Sequence, residues 1–562
     1  NHRFNLRMEY KPNDRSSILF RPSISFQQNS GTDSTFGRNL LDGNLLSTTQ
    51  NVFSSDLQGL KIDNLLFYRY RFEKRGRSLT VSARTGYDQQ DGNSQLNSGL
   101  VFLTEPGASL DTLNQRSNLG SNGINLDVEA RYTEPLGKVG LLLINYSYAP
   151  QWNESDRRTY SISPEGDSTL LPAQSSVFTN QYYAHRGGLG LILRKGRELF
   201  FISRLNYQRA TLAGTQSFPT VFDSTYQFNN LIPFAILRWR VSDQRNFRLI
   251  YRGNTDVPTV GQLQEVVDNS NPFQLTTGNP TLSQAYSHRV TVRYGGTNTE
   301  TSNVFYFLLN STFTNDFIGT SSLIARRDTV LPGGILLQRG GQLSRPVNLD
   351  GYRQISSFLT YGFPAKWIKS NLNFNLSGSY TRRPGMINEA LNFSDNYAAG
   401  LGVTLSSNVS KNVDFTLSSK SNYNWAFNEL QPNLNTEYFS QVSEARVNLI
   451  FGPGIVFRTS VLHQYIDGLS DGLDPNYILW NLGVAKKLFK NQRGEIELTA
   501  FDVLGQNTNV SRNVASTYVE DIQSQVLQQY FMLTFTYQLR QFEPTQETER
   551  PPYPGYGPPR RP

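Results

Sequence analysis

Residues 468–472 read Gly-Leu-Ser-Asp-Gly, which matches the G-x-S-x-G pattern of serine nucleophiles in hydrolases. That chemistry requires a sharp turn from a strand into a helix, and a histidine base that an acid orients. Here the match lies in a short loop between two predicted strands, and the nearest histidine, His463, belongs to the preceding strand. We interpret the match as a coincidence and predict that the chain is not an enzyme.

The sequence also contains few residues that could bind a metal or a cofactor. The chain has no cysteine, and its four histidines are far apart in sequence, which argues against thiolate and histidine-rich metal sites. Asp467, Asp471 and Asp474 share one loop and could offer oxygen ligands to Ca²⁺, but their spacing is not that of an EF-hand. A solvated acidic loop is the favoured interpretation, so no metal and no cofactor are predicted.

The elements that must position any site are strands of alternating character. Apolar and polar residues alternate over stretches of about ten or more residues, longer than the ~5–6 residues usual in soluble sheets. That length suits a tilted strand that crosses a bilayer. In residues 123–132, one face carries Ile124, Leu126, Val128, Ala130 and Tyr132.

Connections between these strands alternate strictly between short and long. The short turns fall at residues 12–15, 75–77, 135–138, 195–196, 242–245, 295–301, 363–369, 410–412, 452–454 and 491–493. The long polar connections fall at 29–58, 91–122, 152–180, 213–230, 255–286, 315–351, 382–396, 424–436, 466–476 and 502–528. Short periplasmic turns and long extracellular loops are typical of transmembrane β-barrels.

The predicted fold is therefore all-β, a transmembrane antiparallel β-barrel with about 21 visible strands over residues 1–542. Parity places Asn1 outside the cell, so at least one strand is expected upstream, which gives about 22 strands in all. A soluble propeller or solenoid would need shorter strands and a sequence repeat, and no repeat is visible. Residues 543–562 are rich in proline and are predicted to form a periplasmic tail.

Composition agrees with this fold and narrows the function. Charged residues make up only 17% of the chain, aromatic residues 12%, and no apolar run is long enough for a membrane-spanning helix. The net charge of +8 comes partly from cations at the short turns, where they can reach the headgroups of outer-membrane lipid and lipopolysaccharide. We therefore expect no nucleic-acid partner.

Two stretches resemble a known family. The first runs from residue 252 to 294 and carries Pro258, Gln262, Leu263, Asn271, Pro272, Phe273, Gly278, Asn279, Pro280 and Leu282. The second reads FDVLGQN at residues 501–507, including Asp502 and Asn507, and leads to YFMLTFTY at 530–537. Both are similar to TonB-dependent receptors, in particular to their outer membrane protein beta-barrel branch.

That resemblance implies a plugged 22-stranded barrel that takes up a scarce or large nutrient. The implied partners are an N-terminal plug of the same polypeptide, the TonB complex through an upstream segment, and a surface lipoprotein. No plug and no TonB box are visible in this chain. A non-transporting surface or secretion-complex scaffold therefore stays open as the alternative function.

The matched residues themselves admit a structural interpretation. Gly278 is predicted to adopt positive φ, and Pro280 to hold Asn279 extended, so that the chain is aimed into the next strand. Asp502 and Asn507 are predicted to hold the base of a loop. Whether Phe218 and Phe222, or the arginine pairs at 157–158 and 326–327, contact a ligand is left open by the sequence.

Overall fold

The computed structural model describes residues 1–41, 44–102, 109–268, 274–331, 334–337, 339–407, 410, 412–452, 454–469, 475–489, 492–514, 519–524 and 526–538. Among the motif residues, Asn271, Pro272 and Phe273 lie outside these ranges. Ser470, Asp471 and Asp474 of the acidic loop and the predicted tail at 543–562 lie outside them too.

Twenty-six strands of the described residues form one sheet. Two of them, His2–Asn5 and Met8–Asn13, make up a single interrupted wall strand, and four others lie above the wall, so the predicted count of 21 wall strands is confirmed. The remaining wall strands are Ser16–Leu41, Asn44–Arg71, Ser78–Phe102, Ser109–Leu136, Gly140–Ile162, Ser176–Lys195, Leu199–Phe218, Phe222–Ser242, Arg245–Asp256, Ala285–Asn298, Asn303–Asn315, Tyr352–Ala365, Ser370–Ile387, Ala390–Ser407, Val413–Asn428, Thr436–Phe451, Ile455–Ile466, Asn476–Leu488, Gly494–Phe501 and Tyr530–Tyr537.

Shorter strands and helical turns lie on the extracellular side of the sheet and in the turns between wall strands. The strands above the wall are Ser168–Leu170, Gln274–Thr276, Phe317–Ile324 and Gln342–Leu349, and two separate hairpins pair Thr329–Val330 with Leu336–Leu337 and Asn509–Val514 with Val519–Ser524. The helical turns are Val260–Leu263, Pro172–Gln174, Lys366–Ile368 and Pro432–Leu434. In the described part of the chain, no helix has the length and apolar character to cross a membrane.

Each wall strand pairs antiparallel with the next wall strand along the chain. The ladders run from the first strand through to the pair of Gly494–Phe501 with Tyr530–Tyr537. Among the described residues no ladder joins the first wall strand to the last one. These two strands are therefore the edges of the sheet.

The two faces of the sheet differ as the alternation predicts. Leu376 lies opposite Leu401 across a strand pair, and their side chains are 56% and 57% exposed. The preceding residue, Asn375, points to the other face and accepts a hydrogen bond from the Thr360 hydroxyl at 2.8 Å. An exposed apolar face is what lipid requires, and the polar face lines the lumen.

In the described residues, which leave out 411, 453 and 491, the short turns lie where the sequence predicts them, but the long polar connections are wrong in part. Ser16–Leu41 and Asn44–Arg71 stay paired over residues 29–58, and Ser78–Phe102 and Ser109–Leu136 stay paired over most of 91–122. A strand of 28 residues is roughly 95 Å long, far beyond the bilayer. Above the membrane both faces meet water, so the apolar alternation disappears while the backbone ladder continues.

Cations at one periplasmic turn are already paired within the protein. Lys74 and Arg77 donate to the Glu134 carboxylate at 2.7 Å each, and the Tyr132 hydroxyl donates to it at 2.6 Å. The prediction that cations at this turn reach lipid headgroups is therefore incomplete, because two of them hold a carboxylate instead.

Candidate ligand site at the extracellular end

The connection between Arg245–Asp256 and Ala285–Asn298 folds inward and carries most of the family-like residues. It opens with buried Pro258 and the short helix Val260–Leu263. Gln262 caps this helix reciprocally: its side-chain oxygen accepts from the Thr259 N–H at 2.9 Å, and its own N–H donates to the Thr259 hydroxyl at 3.3 Å. Such a cap satisfies backbone groups that a short helix leaves unpaired.

Two leucines anchor this connection to the inner face of the wall. Leu263 and Leu282 are 3% and 1% exposed and join a cluster with Phe178, Ala184 and Leu212. On the strand Leu199–Phe218 the buried residues alternate with exposed Leu205 and Tyr207, which places the cluster on the face away from lipid. The connection therefore lies against the inner wall.

Gly278 closes this connection by a near contact between two backbone segments. Its N–H donates to the Gln264 carbonyl at 2.9 Å, and the Asn279 N–H donates to the Gln262 carbonyl at 2.7 Å. A Cβ at residue 278 would come within 2.1 Å of the Gln264 carbonyl oxygen. The predicted positive φ is wrong, because Gly278 is absent from the left-handed residues of the chain. Glycine is required at 278 because the Gln264 backbone lies too close for a side chain, and not because of a positive φ.

Asn279 and Pro280 tie the same connection to neighbouring elements. The Asn279 side-chain amide donates to the Pro346 carbonyl at 2.9 Å, and its oxygen accepts from the Thr281 N–H at 3.0 Å. The Pro280 carbonyl accepts from the Tyr226 hydroxyl at 2.9 Å. These bonds join the connection both to the wall and to the hairpin formed by Phe317–Ile324 and Gln342–Leu349.

The connection, this hairpin and the adjoining wall strands line an open cavity of about 380 Å³. Its lining residues are Arg157, Ser176, Gly261, Gln262, Gln264, Val266, Asp268, Thr276, Thr277, Gly278, Ile318, Gly319, Thr320, Ser344, Arg345 and Pro346. Amides, hydroxyls and glycines predominate, and Arg157 is neutralised by Asp268 at 3.2 Å. A concave site with a few convergent polar groups is the usual form of a ligand pocket.

Two buried side-chain atoms in this lining lack a hydrogen-bond partner among the described residues. They are the side-chain amide nitrogen of Gln264 and the hydroxyl oxygen of Ser176, and both atoms are buried. An unsatisfied buried polar group is costly, so a ligand that pairs with these atoms would gain by doing so. Neither residue had a sequence signal, because a single glutamine or serine in a polar connection is unremarkable before the fold brings it to a cavity.

Three of the loop residues that the sequence left open, Arg157, Arg158 and Phe218, have defined side-chain contacts. Arg157 belongs to the cavity, whereas the Arg158 guanidinium lies 4.4 Å from the Phe218 ring centroid and 2.8 Å from an Asp156 carboxylate oxygen. Arg157 is thus the member of this pair that a ligand in the cavity would meet.

Asp502 and Asn507 lie at the base of the last extracellular loop. Asp502 is 1% exposed, and its carboxylate accepts from the N–H groups of Gln506 at 3.0 Å and Asn507 at 3.1 Å. The Asn507 side chain donates to the Leu527 carbonyl at 2.9 Å, on the returning limb of the loop. Both residues are bonded to their own loop and to no part of the cavity.

Above this base the loop continues into the hairpin of Asn509–Val514 and Val519–Ser524. Arg512 donates two hydrogen bonds to Asp521, each of 2.7 Å, and the two side chains are 7% and 2% exposed. These bonds raise the pKa of the Arg512 guanidinium above its ordinary value. The pair therefore stays ionised and holds the hairpin closed.

We expect the substitution Asp502→Ala to loosen this loop without unfolding the wall. It removes the acceptor of two backbone N–H groups, which costs about 1–3 kcal/mol locally. Limited proteolysis of the folded protein should then cut within 503–528 several times faster. A matched change, Asp467→Ala, removes an exposed loop carboxylate and should leave the cutting rate unchanged. Equal rates in both variants would contradict the role of Asp502.

In the described residues, His463 and the acidic side chains do not come together as a catalytic or metal site. His463 contacts the Asn476 side chain at 2.6 Å on the strand pair below the G-x-S-x-G loop, and the serine of that motif lies outside the described residues. Within the described ranges, no group of three or more His, Cys, Asp or Glu residues is arranged to hold a metal ion.

Comparison with known proteins gives one family and several distant structures. The model of the outer membrane protein beta-barrel family matches residues 70–390 and 385–537. Similar solved structures include the hemophore receptor HasR of Serratia marcescens, at 12% identity over 82% of this chain and 74% of that chain, with a TM-score of 0.38. The ferric enterobactin receptor PfeA of Pseudomonas aeruginosa is 9% identical over 95% of this chain and 79% of that chain, with a TM-score of 0.37. The ferric-catecholate import receptor Fiu of E. coli K12 is 8% identical over 95% of this chain and 79% of that chain, with a TM-score of 0.40. No curated protein matches the chain.

Proposed function

Because the chain belongs to the outer membrane protein beta-barrel family, it is an outer-membrane barrel rather than an enzyme, and we propose that it is the barrel of a TonB-dependent uptake receptor. Its nutrient is scarce or too large for a porin and is bound at the extracellular end. A plug upstream of this barrel in the same polypeptide fills the lumen, and the TonB complex in the periplasm acts on that upstream segment. A surface lipoprotein over the extracellular end is a further proposed partner.

The observation that carries this proposal is the cavity at the extracellular end. It is formed by a connection that packs on the inner wall, so a ligand there lies at the entrance to the lumen. Its partly unsatisfied polar lining supports ligand binding, which a scaffold barrel would not need.

Growth of a deletion strain tests this function. The gene is removed, and growth is measured on single nutrients given as defined probes: ferric chelates, cobalamin, oligosaccharides and oligopeptides. We expect at least one nutrient on which growth requires both the full-length protein and an intact TonB system. Growth that needs neither on any probe would contradict uptake and favour the scaffold function.

The cavity adds a sharper measurement once that nutrient is known. Gln264→Met keeps the size of the side chain and removes its amide, so the concentration for half-maximal uptake should rise roughly tenfold, since one hydrogen bond to a ligand is worth about that factor. Exposed Glu265→Gln, one residue further, is the matched control and should have no effect.

A further inference from the structure

The inner face of the wall carries a group of arginines on three consecutive strands, Phe222–Ser242, Arg245–Asp256 and Ala285–Asn298. Five of them form what we call the basic wall: Arg238, Arg248, Arg252, Arg289 and Arg293. Register places them in two rows. Arg238 is directly opposite Arg248, which is directly opposite Arg293, and Arg252 is directly opposite Arg289.

None of these five arginines forms an ion pair among the described residues. Other inner arginines do: Arg131 contacts Glu129 at 2.7 Å, and Arg458 contacts Glu497 at 2.9 Å. The three strands of the basic wall are described in full, and Asp256, at their extracellular end, is the one carboxylate on their inner face. The positive charge of the basic wall is therefore not compensated by the wall itself.

This arrangement is unfavourable unless an anion lies against it. Like charges directly opposite each other on neighbouring strands destabilise a sheet. Arg248 is half-buried between its two neighbours, and the other four arginines are exposed to the lumen. The Nε atom of Arg248, at the centre of the first row, is buried and has no hydrogen-bond partner among the described residues. The basic wall thus has the charge of an anion-binding surface and, in Arg248 Nε, a buried donor without a partner among the described residues.

The basic wall is also held in place and has an apolar centre. The Arg238 guanidinium lies 5.4 Å from the Phe200 ring centroid, and that of Arg252 lies 5.5 Å from the Phe234 centroid. Between the two arginine rows, Ile236 is directly opposite Ile250 on the same face. Stacking on aromatic rings limits the freedom of the guanidinium groups, so less entropy is lost when they bind.

The extent of this surface indicates the kind of partner. The two rows are four residues apart, or roughly 14 Å, and the first row crosses three strands, or roughly 10 Å. A small anion could contact one row at most and would leave the isoleucines uncovered. A folded polypeptide with acidic side chains on either side of an apolar centre would cover all of it.

From the uncompensated charge, the apolar centre and the extent of this surface we propose that the basic wall docks the acidic face of a folded polypeptide domain inside the lumen. The inference rests on the proposed function, which places a plug there, and it goes further by assigning the wall segment and the charge of the docking face. Carboxylates of that domain pair with Arg238, Arg248 and Arg293 toward the periplasm and with Arg252 and Arg289 nearer the cavity. Release of the domain would then require these pairs to break.

The test uses the full-length protein in planar lipid bilayers, with single-channel current as the readout. The triple variant R238Q/R248Q/R293Q should increase the open time at least roughly tenfold, because each charge-assisted hydrogen bond lost shifts docking by about that factor. The same three residues changed to lysine keep the charge and should stay nearly sealed. Folding of every variant is checked by its heat-modifiable mobility in gels.

The matched control is R131Q/R446Q/R458Q, which removes three inner-wall arginines that already have carboxylate partners. It should stay as closed as the wild type. A sealed and folded glutamine triple variant, or a control that opens equally, would overturn the inference while leaving uptake untouched. A wild type that is itself open, with currents reduced by millimolar citrate, would indicate a small anion instead of a docked domain. If the triple variant does not fold, R252Q/R289Q in the second row decides the question by the same criteria.

Discussion

Substitution of Gly278 by valine is expected to abolish uptake while leaving the barrel folded. The first side-chain carbon would lie 2.1 Å from the Gln264 carbonyl oxygen and 2.8 Å from the Gln264 nitrogen, and both atoms are backbone. The backbone segments at 262–264 and 278–279 must therefore separate, and the two hydrogen bonds between them are lost. Overpacking and lost hydrogen bonds together cost about 3–5 kcal/mol.

That cost applies to the connection alone, because the wall ladders on either side do not use Gly278. When this cost leaves the native connection formed in only about 1% of molecules, the cavity binds its nutrient about a hundredfold more weakly. Nutrient uptake should then fall by about the same factor. The measurements are the uptake rate in the deletion strain and the amount of heat-modifiable barrel in the outer membrane.

Gly261 supplies the matched control for this experiment. It lines the same cavity, and a Cβ built on it meets no atom within 4 Å. Gly261→Ala should therefore bind and transport as the wild type does, because alanine is the better helix former at that position. Loss of uptake in Gly261→Ala, or normal uptake in Gly278→Val, would contradict the structural role of the close contact.

The second large effect concerns the lipid-facing surface. Leu376→Arg is expected to destabilise the barrel by about 2–4 kcal/mol, the cost of an arginine near the middle of the bilayer. Leu376 lies opposite Leu359 and Leu401, so two apolar side chains would flank the new charge in the membrane. Urea unfolding of the protein refolded into lipid vesicles measures the change.

Ser379→Arg is the control on the same strand. Ser379 is exposed on the inner face, three residues from Leu376, and an arginine there meets water or polar groups. Its free energy of unfolding should change by less than about 0.5 kcal/mol, as for other exposed positions. A destabilisation of equal size in both variants would contradict the assignment of the two faces.

Much of this fold was determined by the sequence alone. Alternation in residues 370–381 placed Leu376 on the lipid face, and the turn residues around 366–369 ended the strand, because side-chain direction and turn geometry depend on neighbours in the chain. The strand count followed from the same local signals. They did not reveal that strands such as Asn44–Arg71 extend beyond the membrane, since a polar strand and a polar loop have the same composition.

The site and the basic wall were decided by the tertiary structure. Gln264 and Ser176 meet at one cavity only because Leu263 and Leu282 pack on the inner wall. Arg248 and Arg293 become neighbours through the register of two strands whose connection folds inward. Such contacts join residues that are distant along the chain, and pairing and packing energies, not local preferences, select them.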